Sequence, residues 1–450
     1  MTDKILDLLQ NKKKVELKSF LSTQNPADIA AWIEELLEGD DIAKEELLLL
    51  YRILPKEIAA DTFVEMSGDT QEMLIKSFSD KELREVLDDI FLDDTVDIIE
   101  EMPANVVKRI LKNVDADTRK SINQLLDYPD DSAGSIMTIE YVDLKKNMTV
   151  EAAFKRIRKT GVDKETIYTC YVTDSNRKLL GLVSVKDLLL SDYEELVGDI
   201  MEENIISVGT HDDQEEVANV FAKYDLLALP VVDKEDRLVG IITVDDAIDV
   251  IQEEYAEDLE KMAAITPTDK PYLKSGVFDI YKARIPWLLI MMISATFTGL
   301  ILQHFESALA AQIALTTFIP MLMDTGGNSG SQASVTVIRG LALGEVEFSD
   351  VFEVIWKEIR VAVMCGITLA ACMFLKIIFI DGYSVPIAAA VCLTLVFTIM
   401  AAKTVGCTLP ILSKKLGFDP AVMSSPLITT IVDAISLTIY FTIATKILGL

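Results

Sequence analysis

Beyond residue 285 the chain is a series of apolar runs broken by short polar loops, and runs of that length constrain it more than any other feature. They fall at roughly 286–305, 308–334, 361–380, 385–409 and 423–447, each near or above the about 20 residues that cross a bilayer core. An odd number of spans puts the two ends on opposite faces. Cytoplasmic loops are enriched in Lys and Arg. Lys274, Lys282 and Arg284 precede the first run, Arg339, Lys357 and Arg360 lie between the second and third, and Lys414 and Lys415 between the fourth and fifth. The loops at 303–306 and 381–383 carry no Lys or Arg. The expectation is a multi-pass protein of the inner or plasma membrane, with its N-terminal domains cytoplasmic and its C-terminus outside.

The remainder is acidic. Of 42 Lys and Arg and 72 Asp and Glu, 11 of each lie beyond residue 270, so the whole formal charge of −30 belongs to the first 270 residues. A field of that sign repels phosphates and argues against nucleic acid as a partner. The sharper reading is a response to cations. The five cysteines have no metal-ligand spacing and read as small apolar residues in a reducing compartment. The start, MTDKILDLLQNKKK, lacks the apolar core of a secretion signal.

Residues 1–128 carry short helical patterns with repeated start signals, among them Asn25-Pro26, Ser79-Asp80 and Val114-Asp115. Many short helices in series suggest an all-α superhelix. Residues 137–250 hold an internal repeat at an offset of 59, in which Gly181-Leu-Val-Ser-Val-Lys-Asp187 matches Gly240-Ile-Ile-Thr-Val-Asp-Asp246. Each unit reads as a β-rich run, a turn, then a strand opening into a helix. This resembles a tandem of CBS modules. In that family the Ser/Thr and Asp hold a nucleotide ribose, which points to Ser184 with Asp187 and Thr243 with Asp246. The competing reading is that each pair caps the helix that follows it.

Acidic residues then cluster. Asp246, Asp249, Glu253, Glu257 and Glu260 recur at three- and four-residue spacing on a helix leading to the membrane, although like charges so placed destabilise a helix. A second group is Asp89, Asp93, Asp94 and Asp97, and a third is Asp212, Asp213, Glu215, Glu216 and Asp225. Oxygen-only clusters without His or Cys suit hard cations such as Mg²⁺ or Ca²⁺.

Within the apolar runs, charged residues mark candidate pathways. Asp433 lies seven residues after Pro426, with Thr429, Thr430 and Ser436 near it. The stretch Pro320-Met-Leu-Met-Asp-Thr-Gly-Gly-Asn-Ser-Gly-Ser-Gln332 has three glycines in five residues, Gly326, Gly327 and Gly330. These are expected to loosen the helix and expose carbonyls, giving Gly326, Gly327, Asn328 and Thr429 as pore ligands beside Asp433. Close helix packing through small residues is the alternative. Lys376 and Lys403 receive no role. One Asp per chain is a thin site, and a homodimer would supply two.

The whole chain resembles the MgtE family of magnesium channels and transporters, most specifically in PMLMDTGGNSGSQ and GFDPAVMSSPLITTIVDAISLTIYF. The resemblance implies a homodimeric Mg²⁺ channel and not an enzyme, whose pore carboxylate falls on Asp433. It places sensor carboxylates on Asp93, Asp97, Glu215, Asp225, Asp246, Asp249, Glu257 and Asp258, and sets Asp419 against the connecting helix. Cytosolic Mg²⁺ would bridge these acidic faces and close the pore, with ATP a candidate regulator. The expected fold is multidomain: an all-α superhelical domain (1–128), an α/β tandem CBS domain (129–245), a long acidic connecting, or plug, helix (246–270) and an α-helical five-span membrane domain (271–450). The competing function is a membrane-tethered adenine-nucleotide sensor that does not conduct. A hydrolase lacks a convincing set, since His211 and His304 are the only histidines.

Overall fold

Each short apolar pattern of the first 128 residues becomes a helix, from α1 (Thr2–Gln10) through α3 (Pro26–Glu38), α5 (Lys56–Val64) and α8 (Leu92–Glu101) to α10 (Ala116–Leu125). The computed structural model describes residues 1–39, 42–268, 272–273, 275–423 and 425–449. The start signals act as expected: Asn25 accepts from the Ala27 N–H, Ser79 and Glu82 form a reciprocal capping box, and Asp115 accepts from Asp117 and Thr118. Their inward faces merge in one apolar core, with Ile29, Ile33, Leu47, Phe63, Ile75 and Ile110 buried.

The repeat appears as two three-stranded sheets. The first orders β1 (Asp143–Lys145), β2 (Thr169–Thr173) and β3 (Leu179–Ser184), and the second orders β4 (Val208–Gly209), β5 (Ala228–Val232) and β6 (Leu238–Thr243). The offset of 59 survives in the pairing: Tyr171 opposes Leu182 as Pro230 opposes Ile241, with a bulge at Val172/Thr173 and again at Val231/Val232. A close approach fixes the two glycines. A Cβ at Gly181 would stand 2.7 Å from Met201 Sδ, and one at Gly240 would stand 2.7 Å from Met137 Sδ. Helices α11 (Val150–Thr160), α12 (Val185–Leu190), α13 (Val197–Ile200) and α14 (Gln214–Tyr224) complete the two modules. After β6 the chain runs into α15 (Val244–Met262).

The chain forms two bodies, Met1–Ile251 and Gln252–Leu450, so α15 contributes its first part to one and its last turns to the other. In the second body follow α16 (Val277–His304), α17 (Glu306–Ala311), α18 (Ile319–Ala342), α19 (Val351–Phe379), α20 (Val385–Lys415) and α21 (Ser425–Leu448). Among the described residues, four helical stretches are long and apolar enough to span: Val277–His304, Phe348–Phe379, Val385–Lys415 and Pro420–Leu448. The expected second span, 308–334, is not one helix. Its first third is α17 and a 3₁₀ segment, Ile313–Phe318, and α18 begins only at Ile319. The glycines and polar groups of α18 keep it out of the apolar set, although its 24 residues reach about 36 Å. It packs on both α20 and α21, α19 lies on α20, and α16 lies on α21. Lys274, one of the orienting basic residues, lies outside the described residues.

Candidate functional sites

Two sites emerge, one in each body. In the first, α5, the turn before α8, the loop before β2 and the start of α15 surround a cavity of about 190 Å³. Eight carboxylates line it: Asp61, Glu65, Asp89, Asp93, Asp94, Glu165, Asp245 and Asp246. Lys56 reaches Asp89 at 3.1 Å from an exposed position. Asp93 Oδ1 and Glu165 Oε2 are buried with no hydrogen-bond partner among the described residues, an arrangement that is costly unless a cation or proton satisfies it. Burial, then the charge of Asp246, drives the Asp93 carboxyl well above its ordinary range. The same causes raise Asp94 to about 7, and burial followed by Asp94 and Asp246 raises Glu165 to about 8. Asp246 rises to about 6, chiefly by burial, against the opposing hydrogen bond from Thr243.

Among the described residues no three His, Cys, Asp or Glu side chains converge closely enough to hold a metal directly. The donor set nevertheless fits a hydrated Mg²⁺, which keeps several waters. A cavity of about 190 Å³ has room for the ion with its bound waters. Of the expected sensor residues, this cavity gathers Asp93 and Asp246. Asp249 is exposed but close enough for its charge to act on Asp246. Asp97 faces outward from α8, away from the cavity lining. Glu215 sits exposed in the first turn of α14, and Asp225 ends that helix in the left-handed conformation at φ 53°. Neither lines the cavity. Asp61 and Glu65 at the end of α5 and Glu165 in the loop before β2 were not expected, because only tertiary packing brings these two segments together.

Of the two Ser/Thr–Asp pairs, Ser184 caps its helix, whereas Thr243 only donates to its partner. Ser184 accepts from the Asp187 N–H and donates to its carboxylate, a capping box at the start of α12. Thr243 Oγ1 donates to Asp246 Oδ2 at 2.6 Å.

In the second body, α18 runs unbroken through Gly326, Gly327 and Gly330. The expectation of a loosened helix with exposed carbonyls is therefore corrected: these glycines permit close packing. A Cβ at Gly326 would lie 2.8 Å from Thr398 Cγ2, one at Gly327 would lie 2.8 Å from Thr429 Cγ2, and one at Gly406 would collide with the Gly330 carbonyl. With that side buried, Asp324, Asn328 and Gln332 recur every four residues along the exposed side of α18. Asp433, on α21, is half-buried, and its Oδ1 is buried without a partner among the described residues. The charge of Asp324 reaches it. Asp324 stood within the glycine-rich stretch but was not singled out. Thr430 and Ser436 spend their hydroxyls on the carbonyls of Pro426 and Val432 in their own helix. Lys403 is buried in an ion pair with Glu358 at 3.1 Å, and Lys376 pairs with Asp381 at 2.7 Å. At the near end of the bundle, Lys261 in the last turn of α15 bridges Glu257 and Asp419, 2.7 Å from each. Asp258, beside them, is raised by burial and by the Asp419 charge.

A carboxylate-lined cavity formed by the N-terminal helices, the first CBS module and the start of α15, in a chain that continues into a helical bundle with buried charge, is the arrangement of a regulated divalent-cation transporter. The family model described as a divalent cation transporter matches residues 319–443, that of the MgtE intracellular N domain matches 24–131, and the CBS domain matches 133–193 and 197–253. The magnesium transporter MgtE of Thermus thermophilus is 37% identical over 447 residues, 98% of this chain and 97% of its own. That of Bacillus subtilis is 33% identical over 446 residues, 98% of this chain and 96% of its own. The cytosolic domain of the Mg²⁺ channel MgtE in complex with ATP covers 56% of this chain and 100% of its own, at 36% identity and a TM-score of 0.52. The soluble part of a magnesium transporter covers 57% of this chain and 98% of its own, at 31% identity and a TM-score of 0.52. The chain belongs to the MgtE family. It is a membrane-embedded Mg²⁺ transporter with cytosolic regulatory domains, and the reading as a sensor that does not conduct falls away.

Proposed function

We propose that two copies of this chain form a Mg²⁺ channel in which the polar side of α18 and the Asp433 carboxylates line a shared pathway. One observation carries this reading. Asp324, Asn328 and Gln332 face out of the single-chain bundle on a helix set among membrane spans. A charged group at the centre of a span costs at least ~2.5–3.5 kcal/mol against lipid, whereas a water-filled seam between two copies accommodates it. A twofold axis then doubles every carboxylate. Asp433 and Asp324 hold the ion through its retained waters, and Asn328 adds a neutral oxygen. With α18 counted among the spans there are five, which puts the C-terminus outside. The division at 1–128, 129–245, 246–270 and 271–450 belongs to the same reading.

Cytosolic Mg²⁺ acts as the closing ligand. It enters the acidic cavity, offsets the repulsion among its carboxylates and stabilises one arrangement over another in proportion to its differential affinity. ATP, a ligand of the related cytosolic domain, is a regulator that favours Ser184 and Asp187. Asp187 is exposed, and exposed Tyr168 is tethered to the same motif by its carbonyl, which accepts from Val185 N–H at 3.0 Å. Asp246 of the other motif shares its cavity with seven further carboxylates, which repel a triphosphate. The test is Mg²⁺ entry into liposomes reconstituted with the pure protein, together with its mass in detergent. Entry carried by dimers supports the reading, and a monomer that conducts fully removes its shared seam.

A further inference from the structure

Residues 139–143, just before and into β1, border a cavity of opposite sign to the acidic one. Along residues 139–143, Ile139, Tyr141 and Asp143 line this cavity and Glu140 does not. Glu140 accepts from the Leu92 N–H at 3.0 Å. Arg156, Lys164 and Arg177 also line the cavity, of about 330 Å³. Thr160 and Thr173 complete its wall. The loop before β2 borders both cavities, since Lys164 lines the basic cavity while the adjacent Glu165 lines the acidic one.

Three cations and one carboxylate leave this cavity with a surplus of positive charge, inside a half of the chain that carries −30. The carboxylate is already engaged. Asp143 takes both the Arg156 guanidinium and Lys145, the latter at 3.3 Å, and although burial pushes it up, these partners hold its carboxyl below the ordinary range. Arg177 is fixed by one nitrogen, which donates to Tyr141 Oη at 2.9 Å and to the Leu238 carbonyl at 3.1 Å. That anchoring leaves the other side of its fork to offer. Lys164 is half-buried and makes no ion pair among the described residues. Neither Ser184–Asp187 nor Thr243–Asp246 contributes to the lining.

We propose that this cavity binds a small phosphorylated anion, separate from both Ser/Thr–Asp motifs. Guanidinium forks held in place match phosphate oxygens in pairs, and a free ammonium supplies a mobile point charge. The volume lies at the low end of ligand pockets, which suits a metabolite of sugar-phosphate size rather than a nucleic acid. The test is calorimetric titration of the full-length protein in detergent with inorganic pyrophosphate, EDTA being present to exclude Mg²⁺. Wild type should bind. Lys164→Glu should weaken binding by about tenfold or more, as expected for loss of a charge-assisted contact and gain of a repulsive one, while Asp187→Ala leaves it unchanged. Arg177→Gln, with its thermal unfolding recorded to establish folding, should weaken binding likewise. No heat with wild type, equal binding by Lys164→Glu, or loss of binding in Asp187→Ala alone would each overturn the proposal. Since the assay contains no Mg²⁺, its outcome is independent of conduction and of the acidic cavity.

Discussion

Lys261 stands 2.7 Å from Asp419, joining the last turn of the acidic connecting helix to the loop that precedes the final membrane helix. The same ammonium holds Glu257 at 2.7 Å, so one cation serves a group of carboxylates that also includes Asp258. A protein ammonium thus occupies a place where a metal ion was expected, and it gives the connecting helix a direct hold on the bundle.

Removing that hold should loosen the closed form. Lys261→Met leaves Glu257, Asp258 and Asp419 facing one another without compensation. The expected outcome is Mg²⁺ entry that persists at cytosolic-side Mg²⁺ levels that silence wild type, with the half-inhibiting concentration raised by about fivefold or more, the low end of ordinary coupling. An unchanged inhibition curve in liposomes would show that the pair plays no part in closure.

On the proposed reading, feedback falls on Asp93 and Asp246, which line the acidic cavity, more than on Asp97, which does not. Asp93→Ala combined with Asp246→Ala should retain Mg²⁺ entry yet raise the half-inhibiting Mg²⁺ concentration by about tenfold, within the usual coupling range. Asp97→Ala, outside the lining, should shift it far less. Equal effects of the two changes would place the sensor elsewhere.

Proton and Mg²⁺ should compete. Asp246, Asp94 and Glu165 titrate at about 6, 7 and 8 in the fold, against about 4 in an unfolded chain. A raised carboxyl pKa means the folded state binds the proton more tightly. The stability so gained is full below about pH 4 and is lost as pH rises through 6 to 8. In EDTA, thermal unfolding of the cytosolic body should therefore come earlier at pH 8.5 than at pH 6. Saturating Mg²⁺, which binds the ionised form, should stabilise more at the higher pH. A transition that rises with pH in EDTA would contradict the shared burial of these groups.

Packing around α18 is tight enough to be tested by one methyl. Gly406→Ala drives a Cβ into the Gly330 carbonyl, a backbone group that cannot step aside, and should cost about 1–3 kcal/mol as overpacking does. Gly299→Ala meets nothing within 4 Å and should be neutral or slightly stabilising, since Ala is the better helix former. Thermal unfolding in detergent separates the two.

Much of this architecture was legible because it rests on local pattern. The 59-residue offset between Val172 and Val231 became an identical register in two sheets, and Asn25, Ser79 and Asp115 cap the helices they announced. What escaped depends on tertiary contact. Glycines at 326, 327 and 330 have the composition of a broken helix, yet α20 and α21 press close enough to keep it whole. Asp93 and Asp97 are one turn apart on the same helix and differ only in what packs against them. Lys403 found its acid, Glu358, 45 residues away on a neighbouring helix, a pairing no spacing rule anticipates. Asp324 became legible only once the opposite side of α18 was seen to be buried.

The account turns on carboxylate oxygens lining a wet path between helices, and Mg²⁺ entry into liposomes carrying wild type, Asp433→Ala or Asp433→Glu measures that most directly. Entry should fall by at least about 100-fold in the alanine variant, as expected where a buried charge carries several kcal/mol of ion stabilisation, and return in part with glutamate. Wild-type entry through Asp433→Ala, with the protein folded and inserted, would contradict it.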